Sequence, residues 1–416
     1  MAAERTLRPG TRSRPDRTRQ PSSMNDVEST KSPLRKLART GVIAAALLLA
    51  SLLAAEAVLR VRANRSPRYY TNAPGVVATY HPDPERMPGV SGPSTVAFDA
   101  RGLRGHDPGP DATYGILAVG GSTTACDYLD QPEAWPALLE ARLGPPAWVG
   151  NAGRSGLTSR EHVLQLRHLL PQLPEVRLVV CLVGVNDLAL RLQRGADYDP
   201  RFMDRPGERA RSLDRAFFER PRTYSFAHLR STAVFGLLDR LRRRRWAAEG
   251  ASEEALGRVY EERRRMRRAA ALVLTELPEL DSALGEYARN LRAMIAIARE
   301  HDVRIVFVTQ PALWRVDLPE ELRALLWFGW KDREPASGAT EYYSVQALAA
   351  GMAAYNRTLL ATCAAENVEC IDLASVLPRD ERVFYDDCHF NEHGARLAAD
   401  VIGEQLSQSS PFGRDR

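Results

Sequence analysis

Apolar runs alternate with segments of helical periodicity from residue 115 onward, and this alternation restricts the fold more than any other feature of the sequence. It predicts βαβ units built around a parallel sheet. We expect strands at 115–119, 147–151, 177–183, 303–309 and 368–373, and helices at 133–143, 159–170, 284–300, 345–366 and 392–406. The third and fourth strand candidates, RLVVCLV and VRIVFV, are apolar throughout, as is typical of central strands buried on both faces. The sequence therefore predicts an α/β fold with a central five-stranded parallel sheet.

The N-terminal part of the chain changes abruptly from polar to apolar. Residues 1–40 are rich in Arg, Pro, Ser and Thr, and we expect them to form a disordered, basic, cytoplasmic tail. The apolar run at 41–60 is close to the length of about 20 residues that spans a bilayer. Basic residues precede this run, and the positive-inside rule therefore places the rest of the chain outside the cytoplasm. One alternative to this signal anchor is a cleaved signal peptide, because Ala55-Glu56-Ala57 has the A-x-A form of a cleavage site, and the other is a buried helix of a cytosolic protein. The anchor and the signal peptide both export the domain.

Two longer segments interrupt the pattern. Residues 61–112 contain many prolines and glycines and are expected to form a linker and an irregular lead-in to the domain, with short β-like pieces at 76–80 and 95–98. Residues 189–282 are far too many for one crossover helix and predict a helical insertion, with arginine-rich helical pieces around 237–246 and 253–274. An insertion above the strand ends could cap a site, or it could be a solvated helical hairpin, and the sequence leaves both interpretations open.

The net charge of +5 comes almost wholly from arginine. No recognised nucleic-acid-binding module accompanies this charge, so no nucleic-acid partner is expected. The arginine runs at 242–245 and 263–268 could bind anionic lipid or an acidic polymer, or they could simply form a solvated face.

Polar loops follow the predicted strands and contain the candidate site residues. Ser122 follows the first strand, Gly153 and Gly156 follow the second, and Asn186 with Asp187 follows the third. The loop after the last strand contains Asp386 and His389, three residues apart. Because the carboxyl ends of neighbouring parallel strands border one crevice, these residues are expected to converge. An alternative for the first loop is an ordinary helix start with Ser122 or Thr123 as the N-cap.

The residue types in these loops suit nucleophilic catalysis. A serine needs a base to accept its proton, and the base needs a partner that fixes its tautomer. His389 could be the base and Asp386 the partner, while the N–H groups of Ser122 and Gly156 and the amide of Asn186 could stabilise an oxyanion. Asp387 is the rival for Asp386, but we expect it to cap a turn or face solvent. Asp187 is expected to be a turn or cap residue.

Several other residues have simpler interpretations. The five cysteines form no CxxC pair and no metal-ligand spacing, so neither a metal nor a cofactor is expected. Cys181 is predicted to lie in the core and His393 in the closing helix, whereas Cys126 and Cys388 could form a disulfide near the site. The aromatic residues after the fourth strand could line a sugar or acyl site or pack against the sheet edge; they are Trp314, Trp327, Trp330, Tyr342 and Tyr343.

The blocks GGST, NAGRSG, GVND and DDCH resemble, in this order, the four conserved blocks of the SGNH (GDSL-like) hydrolases. The resemblance implies a flavodoxin-like three-layer α/β/α sandwich, here at 113–410. It also implies Ser122 as nucleophile, the Asp386–His389 pair as its partners, and Gly156 and Asn186 as oxyanion-hole donors. The aspartate that usually precedes the nucleophile is Gly121 here, a variant that resembles membrane-anchored bacterial members.

From these features we expect a membrane-anchored, extracytoplasmic serine esterase. Its substrate would be a small-molecule or glycan ester, and O-acetyl groups on envelope or exopolysaccharide carbohydrate are the preferred choice. An O-acyltransferase with the same triad is the first alternative, because only the acceptor differs. A non-catalytic envelope protein that keeps the fold for binding is the second alternative, although the presence of all the site residues argues against it.

Overall fold

The computed structural model describes residues 33–65, 68–221, 224–225, 228–250, 253–331 and 341–408. The chain divides into two units, Met1–Ala55 and Glu56–Arg416. The described residues of the first unit belong to helix α1 (Pro33–Arg65), whose segment Leu37–Arg62 is long and apolar enough to cross a membrane. The tail was predicted to be disordered through residue 40, but residues 33–40 are helical. Proline suits the first turn of a helix, and Leu, Arg, Lys and Ala favour its continuation; residues 1–32 lie outside the described residues.

The second unit alternates strands and helices. Its strands are β1 (Val77–Tyr80), β2 (Ser94–Ala97), β3 (Tyr114–Gly120), β4 (Ala147–Asn151), β5 (Val176–Leu182), β6 (Leu272–Leu274), β7 (Arg304–Val308), β8 (Glu341–Tyr343) and β9 (Glu369–Ile371). Its helices are α2 (Ser122–Ala125), α3 (Trp135–Leu143), α4 (Ser159–Leu169), α5 (Val185–Arg194), α6 (Pro206–Ala216), α7 (Ala233–Glu249), α8 (Glu253–Arg268), α9 (Asp281–Glu300), α10 (Glu320–Arg323), α11 (Val345–Glu366), α12 (Leu373–Val376) and α13 (Glu392–Leu406).

Five of these strands form one parallel sheet in the order β4-β3-β5-β7-β9. Counted along the chain this is the order 2-1-3-4-5, which is the flavodoxin-like arrangement. Val119, Cys181 and Phe307 lie side by side on β3, β5 and β7, and all three are buried, so the predicted core position of Cys181 is confirmed. Helix α3 packs on α13, while α9 packs on α4 and α11. The predicted α/β/α sandwich with a five-stranded parallel sheet is confirmed.

The segment 61–112, predicted as a linker and irregular lead-in, is an ordered part of the second unit from residue 68 onward. Strand β1 pairs with β2 in antiparallel orientation. Arg104 is buried, and its guanidinium donates hydrogen bonds to the carbonyl oxygens of Ala125, Cys126 and Leu129. These carbonyls include those at the end of α2, which would otherwise lack donors. The β-like pieces predicted at 76–80 and 95–98 correspond to β1 and β2, whereas a composition rich in proline and glycine gives no sign of this buried arginine.

The segment 189–282, predicted as a helical insertion, contains α6, α7, α8 and β6. The helix predicted over 253–274 ends earlier, at Arg268, and the remaining apolar residues form β6. Strand β6 pairs in parallel with β8, far away in the sequence. The prediction of helix failed there because a partner strand, which supplies the backbone hydrogen bonds, leaves no local signal in the sequence.

Candidate active site

Ser122 lies at the carboxyl edge of the central sheet, directly after β3. It is the first residue of α2, and Gly121 is the N-cap, so neither Ser122 nor Thr123 has the capping role considered from the sequence. A Cβ atom at Gly121 would lie 2.3 Å from Asn186 Nδ2, so no side chain fits at this position. This close approach accounts for the glycine at 121, where the resemblance implied an aspartate.

The structure brings Ser122, His389 and Asp386 into one hydrogen-bonded row. Ser122 Oγ lies 2.7 Å from His389 Nε2, and His389 Nδ1 lies 2.7 Å from Asp386 Oδ2. The Asp386 carboxylate also accepts hydrogen bonds from the N–H groups of Cys388 at 3.0 Å and His389 at 2.9 Å, and these bonds turn the loop. Trp327 Nε1–H donates to Asp386 Oδ2 at 2.9 Å. Such a row can transfer a proton from the hydroxyl group to the imidazole.

The imidazole of His389 is enclosed by aromatic rings and acidic groups. Its ring stacks on Tyr385 and Trp327, with centroid distances of 5.5 Å and 6.4 Å. Burial lowers the pKa of His389, but the attraction of the neighbouring carboxylates, chiefly Asp386, outweighs it and leaves the pKa above its ordinary value. Burial favours the neutral form of Asp386, yet His389 and the donated hydrogen bonds hold its pKa below the ordinary value. The site therefore combines an ionised acid with an imidazole of increased basicity.

Asp387, the rival for Asp386, has a different role. It was expected to cap a turn or face solvent, but its carboxylate is fully buried. One oxygen accepts a hydrogen bond from Trp314 Nε1–H at 2.7 Å, and the other accepts from the N–H groups of Trp327 at 2.8 Å and Phe328 at 3.0 Å. Burial and the charge of Asp386 raise the pKa of Asp387. The expectation of solvent exposure was wrong because the tryptophan-containing loop after β7 folds over this carboxylate.

Gly156 and Asn186 approach Ser122 from the loops after β4 and β5. Gly156 has a φ of +77°, which disfavours side chains, and the space beside it is open. Asn186 Nδ2 donates one hydrogen bond to Leu157 O at 2.8 Å, and its second amide proton remains. Within the described ranges, the backbone N–H groups of Ser122 and Gly156 have no acceptor in the protein. All three residues border the same cavity.

Asp187 is buried next to the oxyanion-hole candidate Asn186 and contacts the start of α4. Its buried carboxylate accepts hydrogen bonds from the N–H group of Ser159, at 3.1 Å, and from the Ser159 hydroxyl. Ser159 is the first residue of α4, where a carboxylate compensates the free N–H groups and the helix dipole. Asp187 therefore lies within α5, and its carboxylate supports the first turn of α4, whose N-cap is Thr158. Burial raises the pKa of Asp187 to about 7.

A cavity of about 340 Å³ opens beside Ser122. Trp327 and Phe328 line it from the loop after β7, and Tyr260 and Arg263 line it from α8 of the insertion. The Arg263 guanidinium lies 4.8 Å from the centre of the Trp327 ring, a cation–π contact that connects the two walls. The insertion therefore contributes directly to the lining of the cavity.

Only one of the five predicted loop aromatics lines this cavity. Trp327 does so, whereas Trp314, Trp330, Tyr342 and Tyr343 are buried elsewhere. The residues that sequence reasoning missed are Asp127, Tyr128, Ser155, Tyr260, Arg263, Phe328 and Tyr385. Asp127, Tyr128, Ser155 and Tyr385 are close in the sequence to the predicted site residues, and this could have indicated them. Nothing in the local sequence indicated Tyr260 and Arg263 of α8.

Helix α8 is fixed against the site loops by arginine side chains. Arg264 is buried and donates hydrogen bonds to the carbonyl oxygens of Arg86, Leu325 and Tyr385. Arg267 donates to the carbonyl oxygens of Phe328 and, at 3.0 Å, Tyr343. The part of the 263–268 run that these residues form is thus neither a solvated face nor a surface for an acidic polymer. It holds Tyr260 and Arg263 at the cavity.

The cysteines near the site are not paired with each other. Cys126 and Cys388 are buried free thiols, and the described disulfide joins Cys363 to Cys370, so the pairing considered from the sequence was wrong. The thiol of Cys126 contacts the carbonyl oxygen of Thr123 within its own turn.

Asp386, Cys388 and His389 have possible metal-ligand atoms within 4.8 Å of one another. Burial and the two aspartates raise the pKa of the Cys388 thiol well above its ordinary value, whereas a metal needs the thiolate. Both ring nitrogens of His389 are engaged by Ser122 and Asp386. The donor set therefore suits proton transfer better than metal binding.

Several known proteins are similar to this chain. The sequence profile of the GDSL-like Lipase/Acylhydrolase family matches residues 118–397, about two thirds of the chain. No curated protein matches the chain. Among solved structures, an aryl esterase of M. smegmatis is similar at 13% identity and a TM-score of 0.39, over 71% of this chain and 99% of that chain.

Two further solved structures are similar to the same extent. A member of the lipolytic protein G-D-S-L family from Veillonella parvula has 12% identity and a TM-score of 0.38, over 71% of this chain and 100% of that chain. An acetylxylan esterase from Geobacillus stearothermophilus has 14% identity and a TM-score of 0.37, over 73% of this chain and 97% of that chain. At these TM-scores the family assignment rests on the profile match.

Proposed function

This chain belongs to the GDSL-like lipase/acylhydrolase family of ester-hydrolysing enzymes, and we propose that it is a membrane-anchored, extracytoplasmic serine esterase with Ser122 as its nucleophile. The observation that carries this proposal is the hydrogen-bonded row of Ser122, His389 and Asp386 beside an open cavity. A protein that only binds esters would have no use for a serine hydroxyl aligned with a base and a buried acid.

In the proposed reaction, Ser122 Oγ attacks the ester carbonyl carbon while His389 Nε2 takes the hydroxyl proton. Asp386 remains ionised and stabilises the imidazolium. His389 then returns the proton to the leaving alcohol oxygen as the ester bond breaks, which leaves an acyl group on Ser122. Water, deprotonated by His389, attacks this acyl-enzyme, releases the carboxylic acid and restores the serine hydroxyl.

The developing oxyanion would be stabilised by three donors. The N–H groups of Ser122 and Gly156 and the second amide proton of Asn186 border the cavity without another acceptor in the described residues. Donors fixed in this way act on charge that appears only in the transition state, and loss of one such donor costs about 10²- to 10³-fold in rate.

Two features support retention of the anchor and export of the domain. The Glu56 carboxylate accepts hydrogen bonds from the N–H groups of Ala233 at 2.8 Å and Val234 at 2.9 Å, so cleavage after Ala57 would remove a group that caps α7. The disulfide between Cys363 and Cys370 is typical of oxidising compartments outside the cytoplasm. Both agree with the basic residues that precede the apolar span.

The cavity supports a short acyl group on a carbohydrate as the substrate. Its volume of about 340 Å³ is at the low end of the range of about 300–1,000 Å³ that ligand pockets occupy. Tyr260 and Trp327 contribute apolar ring atoms to its lining, and Asp127, Ser155 and Arg263 contribute polar groups that can bond to hydroxyl groups. We therefore propose O-acetyl esters of envelope or exopolysaccharide carbohydrate.

The test uses the full chain in detergent or lipid nanodiscs and a fluorophosphonate that labels activated serines. Labelling is expected in the wild type, not in Ser122→Ala, and still in Ser155→Ala, a matched change of another serine at the cavity. Persistence of the label in Ser122→Ala would contradict the assignment of the nucleophile. Acetyl esters should be hydrolysed faster than long-chain esters. Acyl transfer to an added oligosaccharide in preference to water would instead assign an O-acyltransferase.

A further inference from the structure

Helix α7 exposes apolar and cationic side chains on one side. Leu238, Leu241, Arg242, Arg245 and Trp246 recur three and four residues apart and therefore share a face, which we call the outer face of α7. The two leucines are 60% and 53% exposed and the tryptophan is 76% exposed. The side chains of the two arginines are 84% and 86% exposed.

The other side of α7 fixes the helix to the domain. Ala233 and Gly236 are buried, Arg240 pairs with Glu219 at 2.9 Å, and the Arg243 guanidinium donates to Phe218 O at 2.7 Å. The helix therefore already has a partner on its inner side. A helix on a solvated surface normally directs its apolar residues toward the core, and the outer face of α7 has the opposite pattern.

The arginines of the outer face are not used within the protein core. Arg242 lies 4.0 Å from Asp239, and Arg245 lies 3.4 Å from Glu249, each within one turn of the same helix. Such exposed pairs contribute little to stability and leave the guanidinium groups accessible to other anions. Leucine and tryptophan beside arginine on an exposed helix face is the composition of interfacial membrane helices.

The start of α7 contacts Glu56 of helix α1. Glu56, which accepts hydrogen bonds from the first N–H groups of α7, belongs to the apolar segment Leu37–Arg62. Six residues of helix separate Glu56 from the end of this segment, which corresponds to about 9 Å. The outer face then extends from Leu238 to Trp246, about 12 Å along α7. These hydrogen bonds thus connect the first turn of α7 to the C-terminal part of the apolar segment.

We propose that the outer face of α7 lies on the anionic surface of the bilayer that holds α1. In this arrangement Leu238, Leu241 and Trp246 enter the interfacial region, and Arg242 and Arg245 bind lipid phosphate groups. The inference rests on the membrane anchor of the proposed function. Because α7 and α8 belong to the same insertion, this contact would also hold the helix that lines the catalytic cavity relative to the membrane.

Trp246 supplies the probe for the test. The other five tryptophans of the chain are at most 8% exposed; they are Trp135, Trp148, Trp314, Trp327 and Trp330. The emission lost in Trp246→Phe therefore isolates the exposed indole. The full chain is placed in nanodiscs of anionic or neutral lipid, each with and without lipids brominated close to the headgroup.

Brominated lipid is expected to remove most of the Trp246 emission in anionic discs and less of it in neutral discs. The double variant Arg242→Gln/Arg245→Gln should lose most of this quenching. The matched variant Arg211→Gln/Arg382→Gln, which removes two other exposed arginines that are 75% and 70% exposed, should keep it.

Three outcomes would overturn the inference. Equal Trp246 emission in brominated and plain discs would show that the outer face does not reach the lipid. Equal quenching in the two double variants would show that the arginines of α7 do not bring Trp246 into contact with the lipid. Shielding of Trp246 that depends on protein concentration in detergent would assign the face to a second copy of the chain. Co-migration of the chain with the disc tests the anchor separately, and ester hydrolysis tests the catalytic proposal.

Discussion

Replacement of Asp386 by Asn tests the proposed triad most directly, because it removes a charge and keeps the shape of the side chain. His389 Nδ1 lies 2.7 Å from Asp386 Oδ2. The imidazolium charge is spread over the ring, so the two unit charges are about 4 Å apart and attract each other by about 4 kcal/mol at an effective dielectric constant of about 20. A transition state that loses this attraction is reached about 10³-fold more slowly. We expect the kcat of Asp386→Asn to fall by about that factor.

The same substitution should move the pH profile. Only the neutral imidazole accepts the proton of Ser122, so kcat/KM of the wild type should rise as the pH increases through the pKa of His389. Asp386 raises this pKa above its ordinary value. Without the carboxylate the pKa falls, and the inflection should move to lower pH. The measurement is hydrolysis of p-nitrophenyl acetate by the full chain from about pH 5 to about pH 10.

Asp387→Asn is the matched control, because Asp387 is adjacent and equally buried. Its carboxylate holds Trp314, Trp327 and Phe328 but has no hydrogen bond to His389. We expect a lower melting temperature, a loss of less than about tenfold in kcat, and a smaller shift of the inflection. The proposed roles would be refuted if both variants lost kcat equally, or if the inflection of Asp386→Asn stayed where it is in the wild type.

Three further predictions concern residues around the triad. Gly121→Ala should lower kcat by about 10²-fold or more, because its Cβ would lie 2.3 Å from Asn186 Nδ2 and displace that donor; an unchanged kcat would contradict the role of Asn186. Asp187 has a pKa raised to about 7, so the folded state resists its ionisation, and the unfolding free energy of the wild type relative to Asp187→Asn should fall as the pH rises from about 4 to about 7. Urea unfolding at several pH values measures this difference, and a difference independent of pH would contradict it. Arg264→Leu leaves three carbonyl oxygens without their donor, and we expect a loss of about 1–3 kcal/mol in unfolding free energy together with a higher KM, whereas an unchanged KM would contradict the role of α8 at the cavity.

The sheet could be predicted because its signal is local. Strands β3, β5 and β7 are largely apolar runs, and Ser122 and Asn186 follow β3 and β5 within a few residues. Asp386 and His389 lie farther along the chain, after β9 and α12. The convergence of Ser122 and His389 then follows from the shared edge of a parallel sheet. The buried position of Arg104 in the lead-in and the strand β6 could not be predicted in this way, since their partners, the carbonyl oxygens after β3 and the strand β8, lie in other parts of the chain.

The two arginine runs of the insertion show why composition alone did not predict its function. In the run 263–268, Arg264 and Arg267 find backbone carbonyl oxygens in the loops that surround the site, and their burial fixes one wall of the cavity. In the run 242–245, Arg242 and Arg245 pair with carboxylates of their own helix among the described residues and remain exposed. A guanidinium buried against carbonyl groups must be satisfied within the fold, whereas an exposed one can bind an external anion at little cost. Arginine thus fixes a wall of the cavity on α8 and, in our proposal, binds the bilayer on α7. Which of these two roles an arginine has depends on whether acceptor groups from distant parts of the sequence lie beside it.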